Sequence, residues 1–178
     1  ILAAAILSDG KNIIYNCPDL SDVNAAIDIL RHLGCLVKRE NNTLIVDSSV
    51  VSCYNIPDYL MREMRSSIVF LGSVLGRTGK AVLTSPGGCE IGLRPIDLHL
   101  SSLLNLGVKI DETHGEIACE LTKPISGGVI SLSFPSVGAT ENIILACAIS
   151  NGRTVILNAA REPEIKDLAD FLNSCGGR

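Results

Sequence analysis

The run Ser85-Pro86-Gly87-Gly88-Cys89-Glu90-Ile91-Gly92-Leu93-Arg94-Pro95-Ile96-Asp97-Leu98-His99 sets a thiol behind two glycines and follows it with arginine, aspartate and histidine. A cysteine that only packs does not need that setting. Paired glycines free the backbone just before Cys89 and Pro86 punctuates a turn, so the thiol is predicted on a loop and not in a core. A loop thiol with a guanidinium nearby can exchange a proton or attack an electrophile, and it can equally be structural. Arg94 offers a planar fork for phosphate, or a surface partner for Asp97. Asp97 suits the positive end of the following helix, and His99 by itself reads as a surface histidine.

Two further stretches carry candidate groups. Met61-Arg62-Glu63-Met64-Arg65-Ser66-Ser67 places two arginines three apart on a helix that continues into an apolar run, which alone describes a solvated helical entry. Phe134-Pro135-Ser136-Val137-Gly138-Ala139-Thr140 is a loop feeding the start of an apolar helix, with Thr140 the expected cap. Its backbone amides and the helix dipole would also suit a diphosphate.

The elements that must position these groups come from hydrophobic spacing. Residues 1–7, 23–33, 57–76, 98–106, 140–150 and 164–174 are predicted helical, with apolar residues recurring at three and four. Residues 12–15, 35–39, 43–47, 81–84, 109–111, 116–120, 129–133 and 154–157 are predicted strands. Several helices are apolar over most of their surface, residues 144–150 and 66–76 above all, which predicts helices inside and sheets outside.

The pattern repeats. Gly10-Lys11 and Leu33-Gly34, Gly79-Lys80 and Leu106-Gly107, and Gly152-Arg153 and Cys175-Gly176 punctuate three successive units, and each glycine is expected at a left-handed helix end. The distance between the two glycines is longer by four residues in the middle unit, and the excess falls where the Cys89 loop lies. Insertions in one copy of a repeat map to loops, and loops on a rigid scaffold carry function.

With 178 residues, 47% of them hydrophobic, one domain is expected over 1–178, with repeats near 1–60, 61–134 and 135–178. A net charge of −4 gives no global electrostatic reason to bind nucleic acid or an anionic membrane. The seven cysteines form no C-x-x-C pair and no cluster at metal-ligand spacing, so no metal is expected and a reducing, cytoplasmic compartment fits best. The six cysteines other than Cys89 are expected in strands, helices or their ends. The chain opens on Ile1–Leu7 without a methionine, reading as a helix interior, so it is expected to be a piece of something longer.

The stretch from Pro86 to His99, taken with Met61–Gly72, Ser136–Ile143 and Asn158–Ile165, resembles the MurA-type UDP-N-acetylglucosamine enolpyruvyl transferases over the whole chain and in order. The resemblance implies a two-domain enzyme whose fold is an inside-out α/β barrel of repeated βαβαββ-like units, this chain being most of the first domain. It implies transfer of enolpyruvyl from phosphoenolpyruvate to the 3-hydroxyl of UDP-N-acetylglucosamine, with release of phosphate, early in peptidoglycan synthesis. No cofactor is implied. Cys89 would be the proton donor and the target of fosfomycin, and Arg65 a substrate contact. Arg94, Pro95, Ile96, Asp97 and Leu98 would line the uridine side, and Phe134, Pro135, Ser136 and Val137 a second nucleotide loop. Phe134 stands where some members carry a basic residue. A lysine–asparagine pair that engages phosphoenolpyruvate would lie just ahead of Ile1, and the second domain would supply the rest of the cleft. A 5-enolpyruvylshikimate-3-phosphate synthase and a non-catalytic α/β binding module are the alternatives.

Overall fold

The computed structural model describes residues 1–87 and 96–177. A short helix α1 (Leu2–Ala5) precedes strand β1 (Lys11–Ile14) and helix α2 (Ser21–His32). Ala25, Ala26, Ile29 and Leu30 give α2 a buried stripe, Asp22 lies in its first turn, and Arg31 and His32 lie in its last. Gly34 then takes a φ of +105°, which turns the chain into the hairpin β2 (Leu36–Glu40) and β3 (Thr43–Asp47). These strands form an antiparallel sheet in the order β1-β3-β2.

The middle stretch opens on the two-residue strand β4 (Asn55–Ile56), which was too short to leave a periodic signal. Helix α3 (Asp58–Glu63), a 3-10 turn over Arg65–Val69 and helix α4 (Phe70–Thr78) follow. One helix was predicted across 57–76. It is broken at Met64, whose φ of −145° and ψ of 147° are extended. Other donors take the carbonyl that a continuous helix would need. Met61 O would serve the N–H of residue 65 in a continuous helix, but here it accepts Ser67 Oγ at 2.8 Å and the N–H of Gly87 at 3.2 Å.

Strand β5 (Lys80–Thr84), helix α5 (Asp97–Asn105) and the hairpin β6 (Val108–Thr113) and β7 (Glu116–Leu121) complete a four-stranded sheet, β4-β5-β7-β6, in which β4 runs parallel to β5. The third stretch is β8 (Gly128–Ser131), α6 (Val137–Cys147), β9 (Thr154–Leu157) and α7 (Pro163–Ser174), with β8 and β9 parallel.

The burial pattern fits an α/β domain with its most apolar helices inside. On α4, Phe70 through Leu75 are all buried, and on α6 Ala139, Thr140, Asn142, Ile143, Leu145 and Ala146 are buried. Strands β3 and β5 instead alternate, so one face of each packs on the helices, while Leu36 and Val129 point outward. Helices α4 and α6 approach each other closely. A β-carbon on Gly76 would stand 3.0 Å from Leu145 O, so here the backbones themselves are in contact.

Two expectations change. Gly152 does not sit at a left-handed helix end, unlike the other five repeat glycines, which have positive φ. It is small because a β-carbon there would overlap the Ser126 carbonyl and stand 2.7 Å from Gly127 N. The six described cysteines are all free, but Cys17 lies in the coil between β1 and α2 and Cys53 in the coil between β3 and β4, and Cys175, at the end of α7, is exposed. No helix among the described residues is long and apolar enough to cross a membrane, and no described cluster of His, Cys, Asp and Glu could hold a metal ion.

Candidate active site

Cys89, Arg94 and Pro95 lie outside the described residues. Their surroundings are described on both sides. Gly87 lies against α3, where its N–H donates to Met61 O and a β-carbon would come within 2.5 Å of Arg62 O. Ile96 resumes it as the residue before α5, and Asp97 is the first, exposed residue of that helix. Leu98 is half-buried.

The break at Met64 separates the two arginines that the sequence placed on one helix. Arg62 remains on α3, where its Nε donates to Asp58 at 2.7 Å, while Thr84 Oγ1 donates to the same carboxylate at 3.0 Å. That ion pair is exposed and is the solvated entry its spacing suggested. Arg65 opens the 3-10 turn and is half-buried, with its charge reaching His99.

The second loop lies at the start of α6. Phe134 is 64% exposed and Pro135 is exposed too, whereas Ser136 and Val137 are half-buried. Ser136, not Thr140, caps the helix, its Oγ accepting the Ala139 N–H at 3.3 Å. Thr140 lies one turn further in. Its hydroxyl donates to Ser136 O at 2.7 Å and accepts the N–H of Ala160 at 3.1 Å, which ties the Asn158–Ile165 stretch to α6.

His99 is not on the surface. It is 8% exposed, and burial, with the Arg65 guanidinium as a second cause, lowers its pKa to about 4. Its Nδ1 lies 2.6 Å from Nδ2 of Asn142, and its ring sits where a side chain on Gly138 would go, 2.9 Å from such a β-carbon. Sequence reasoning missed Asn142 and Gly138. The signal for Asn142 was an amide at the head of the apolar run Ile143–Cys147. His99 on α5 and Asn142 on α6 link the two helices, and the His99 ring lies over Gly138 in the first turn of α6.

A profile of the EPSP synthase family, described as 3-phosphoshikimate 1-carboxyvinyltransferase, matches residues 1–178. This chain belongs to the EPSP synthase family. Among relatives of this family member, a UDP-N-acetylglucosamine 1-carboxyvinyltransferase 2 of Caldanaerobacter subterraneus subsp. tengcongensis is 53% identical over 178 residues, all of this chain and 42% of the relative. A UDP-N-acetylglucosamine 1-carboxyvinyltransferase 1 of Symbiobacterium thermophilum is 45% identical over 183 residues, again all of this chain and 42% of that protein. The family member described here thus spans less than half the length of the relatives it matches.

Solved structures agree on the fold. The enolpyruvyl transferase NikO from Streptomyces tendae superposes with a TM-score of 0.83 at 22% identity, over 97% of this chain and 40% of that one. EPSP synthase from Acinetobacter baumannii superposes at 0.65 and 17% identity, over 91% of this chain and 38% of that one.

Proposed function

We propose that this chain is the acceptor-binding part of an enzyme that moves enolpyruvyl from phosphoenolpyruvate to the 3-hydroxyl of UDP-N-acetylglucosamine, releasing phosphate for cell-wall synthesis in the cytoplasm. The observation that carries the reading is 53% identity across the whole chain to a protein of that name. In it, Cys89 supplies a proton to the methylene carbon of phosphoenolpyruvate while the sugar hydroxyl adds at the neighbouring carbon and gives its own proton to a base of the second domain. Loss of a proton and of phosphate then restores the double bond. A thiol suits this step when charged neighbours bring its pKa toward the working pH, and Arg94, five residues on in the sequence, is our candidate for that role. Arg65 contacts substrate, Arg94, Pro95, Ile96, Asp97 and Leu98 line the uridine, and Phe134, Pro135, Ser136 and Val137 form the facing loop. The amides at the start of α6 suit the diphosphate.

The same reading makes the three stretches copies of one unit, near 1–60, 61–134 and 135–178, in an inside-out barrel that forms most of the first of two domains. The parallel pair β8–β9 repeats the pair β4–β5. A cavity of about 430 Å³ beside β9 is lined by Ile143, Cys147, Ile156 and Leu172.

The family description favours one competing acceptor, shikimate 3-phosphate. Phosphate release by a polypeptide carrying this segment with both flanking regions separates the two. Turnover is expected with phosphoenolpyruvate and UDP-N-acetylglucosamine and not with shikimate 3-phosphate, and the reverse pattern overturns the reading. Residues 1–178 alone should show no sustained rate, since the second domain supplies the opposite wall of the cleft.

A further inference from the structure

We propose that Asn142 and His99 form a buried brace that sets the positions of Arg65, of the Ile96–Leu98 segment and of the Ser136–Val137 segment, and so governs affinity for the acceptor. They are positioning residues. The inference rests on the reading of those segments as the acceptor site.

Asn142 is fully buried on α6, and its amide makes three contacts. Its Oδ1 accepts the N–H of Gly72 at 2.6 Å, its Nδ2 donates to Ile68 O at 3.0 Å, and the same nitrogen lies 2.6 Å from His99 Nδ1. Ile68 and Gly72 are four residues apart, the spacing of one helical hydrogen bond. The amide is therefore spliced into the junction where the 3-10 turn becomes α4, taking the carbonyl on one side and the N–H on the other. Such an insertion requires close approach, and Gly72 provides it, since a β-carbon there would stand 2.7 Å from Asn142 Oδ1.

The backbone partners also fix the chemistry of the pair. A backbone N–H can only donate and a carbonyl can only accept, so the amide orientation is set, and Nδ2 has a second proton left for His99. His99 Nδ1 is then the acceptor and Nε2 carries the ring proton. The ring in turn rests on Gly138, with Cε1 at 2.9 Å and Nε2 at 3.3 Å from the place of a β-carbon. Arg65 begins the same 3-10 turn that ends on the spliced junction. One amide thus joins the turn bearing Arg65, the first turn of α5 and the first turn of α6.

The test uses the polypeptide with both flanking regions. Asn142→Ala is expected to raise the KM for UDP-N-acetylglucosamine by about 10- to 100-fold, while changing the KM for phosphoenolpyruvate less than about threefold. His99→Gln, which places its polar atoms near Nε2 and not Nδ1, should behave like Asn142→Ala. His99→Asn restores an acceptor near Nδ1 and should recover most of the loss. Equal losses in the two His99 variants, or an unchanged acceptor KM in Asn142→Ala, overturn the brace.

Imidazole nitrogen shifts in labelled protein give a readout independent of turnover, and of any variant that fails to fold. The wild type should show Nδ1 unprotonated and Nε2 protonated, and the opposite tautomer overturns the brace. Absence of wild-type turnover with UDP-N-acetylglucosamine overturns the proposed function instead. In that event the same variants are compared by their KM for shikimate 3-phosphate.

Discussion

Gly152 lies directly against the carbonyl of Ser126, so that the turn after α6 and the residue two before β8 share a space with no room for a side chain. Gly152→Ala should cost roughly 2–4 kcal/mol, because backbone and not a flexible side chain must move. Gly79→Ala is the control. Its φ of +76° strains an alanine, but nothing lies within 4 Å of the new carbon, so the cost should be about 1–2 kcal/mol. Urea unfolding of the two variants checks the order, and an equal loss would show that the contact relaxes.

Thr140→Val leaves the Ala160 N–H without its partner in a buried place and should destabilise by about 1–3 kcal/mol. Ser136→Ala removes only the α6 cap, at about 1 kcal/mol. Amide exchange at Ala160 should accelerate in the threonine variant and stay slow in the serine variant. Unchanged protection in both would remove Thr140 as the tie.

His99 gives stability a specific dependence on pH. Its pKa in the folded chain is about 4 against 6.5 ordinarily, so the unfolded chain binds this proton more tightly. The stabilisation from a neutral ring is complete above about pH 6.5, shrinks as pH falls, and is gone below about 4, a change of at most about 3 kcal/mol. Asp47, Asp58 and Glu120 are held below their ordinary range by hydrogen bonds from Ser49, Arg62 and Lys80, so their contributions persist to lower pH. Unfolding midpoints between pH 7.5 and 4.5 should therefore fall in the wild type and fall less in His99→Asn. Parallel curves would mean that the ring titrates as in water.

Cys89 should be the first of the seven thiols to react with a simple alkylating reagent near neutral pH. Burial pushes Cys35 up to about 11 and Cys119 up to about 12, which leaves almost no thiolate at either. The described competitors are Cys175, which is exposed, and Cys53, which lies 3.8 Å from His32 Nε2. Peptide mapping after brief labelling should mark Cys89 before both, and Cys89→Ser should remove the fast phase. A fast phase on Cys53 would point to the histidine beside it.

Regular periodicity made most elements legible in the sequence. The stripe through Ala25, Ala26, Ile29 and Leu30 states a period and a buried face, and the apolar run of residues 44–46 between polar neighbours marks a strand. What escaped was decided by contacts between distant residues. Ser67 and Gly87 take the Met61 carbonyl and break a helix whose apolar pattern runs on through the break. His99 looked like a surface group because its partner stands 43 positions away on another helix. The segments we assign to the acceptor were singled out by their motifs, whereas the pair behind them shows only as an amide at the head of an apolar run.

The contact between Gly72 and Asn142 also constrains the order in which this protein can change over generations. Any side chain at 72 collides with the backbone of residue 142 as well as with its amide, so shortening Asn142 alone does not make room. A lineage can lose the asparagine first and keep the glycine, with the junction relaxing to an ordinary helical hydrogen bond. The opposite order passes through an intermediate in which two helices must separate. Position 72 is thus open to drift only after the spacing of α4 and α6 has already widened, and a glycine there records that it has not.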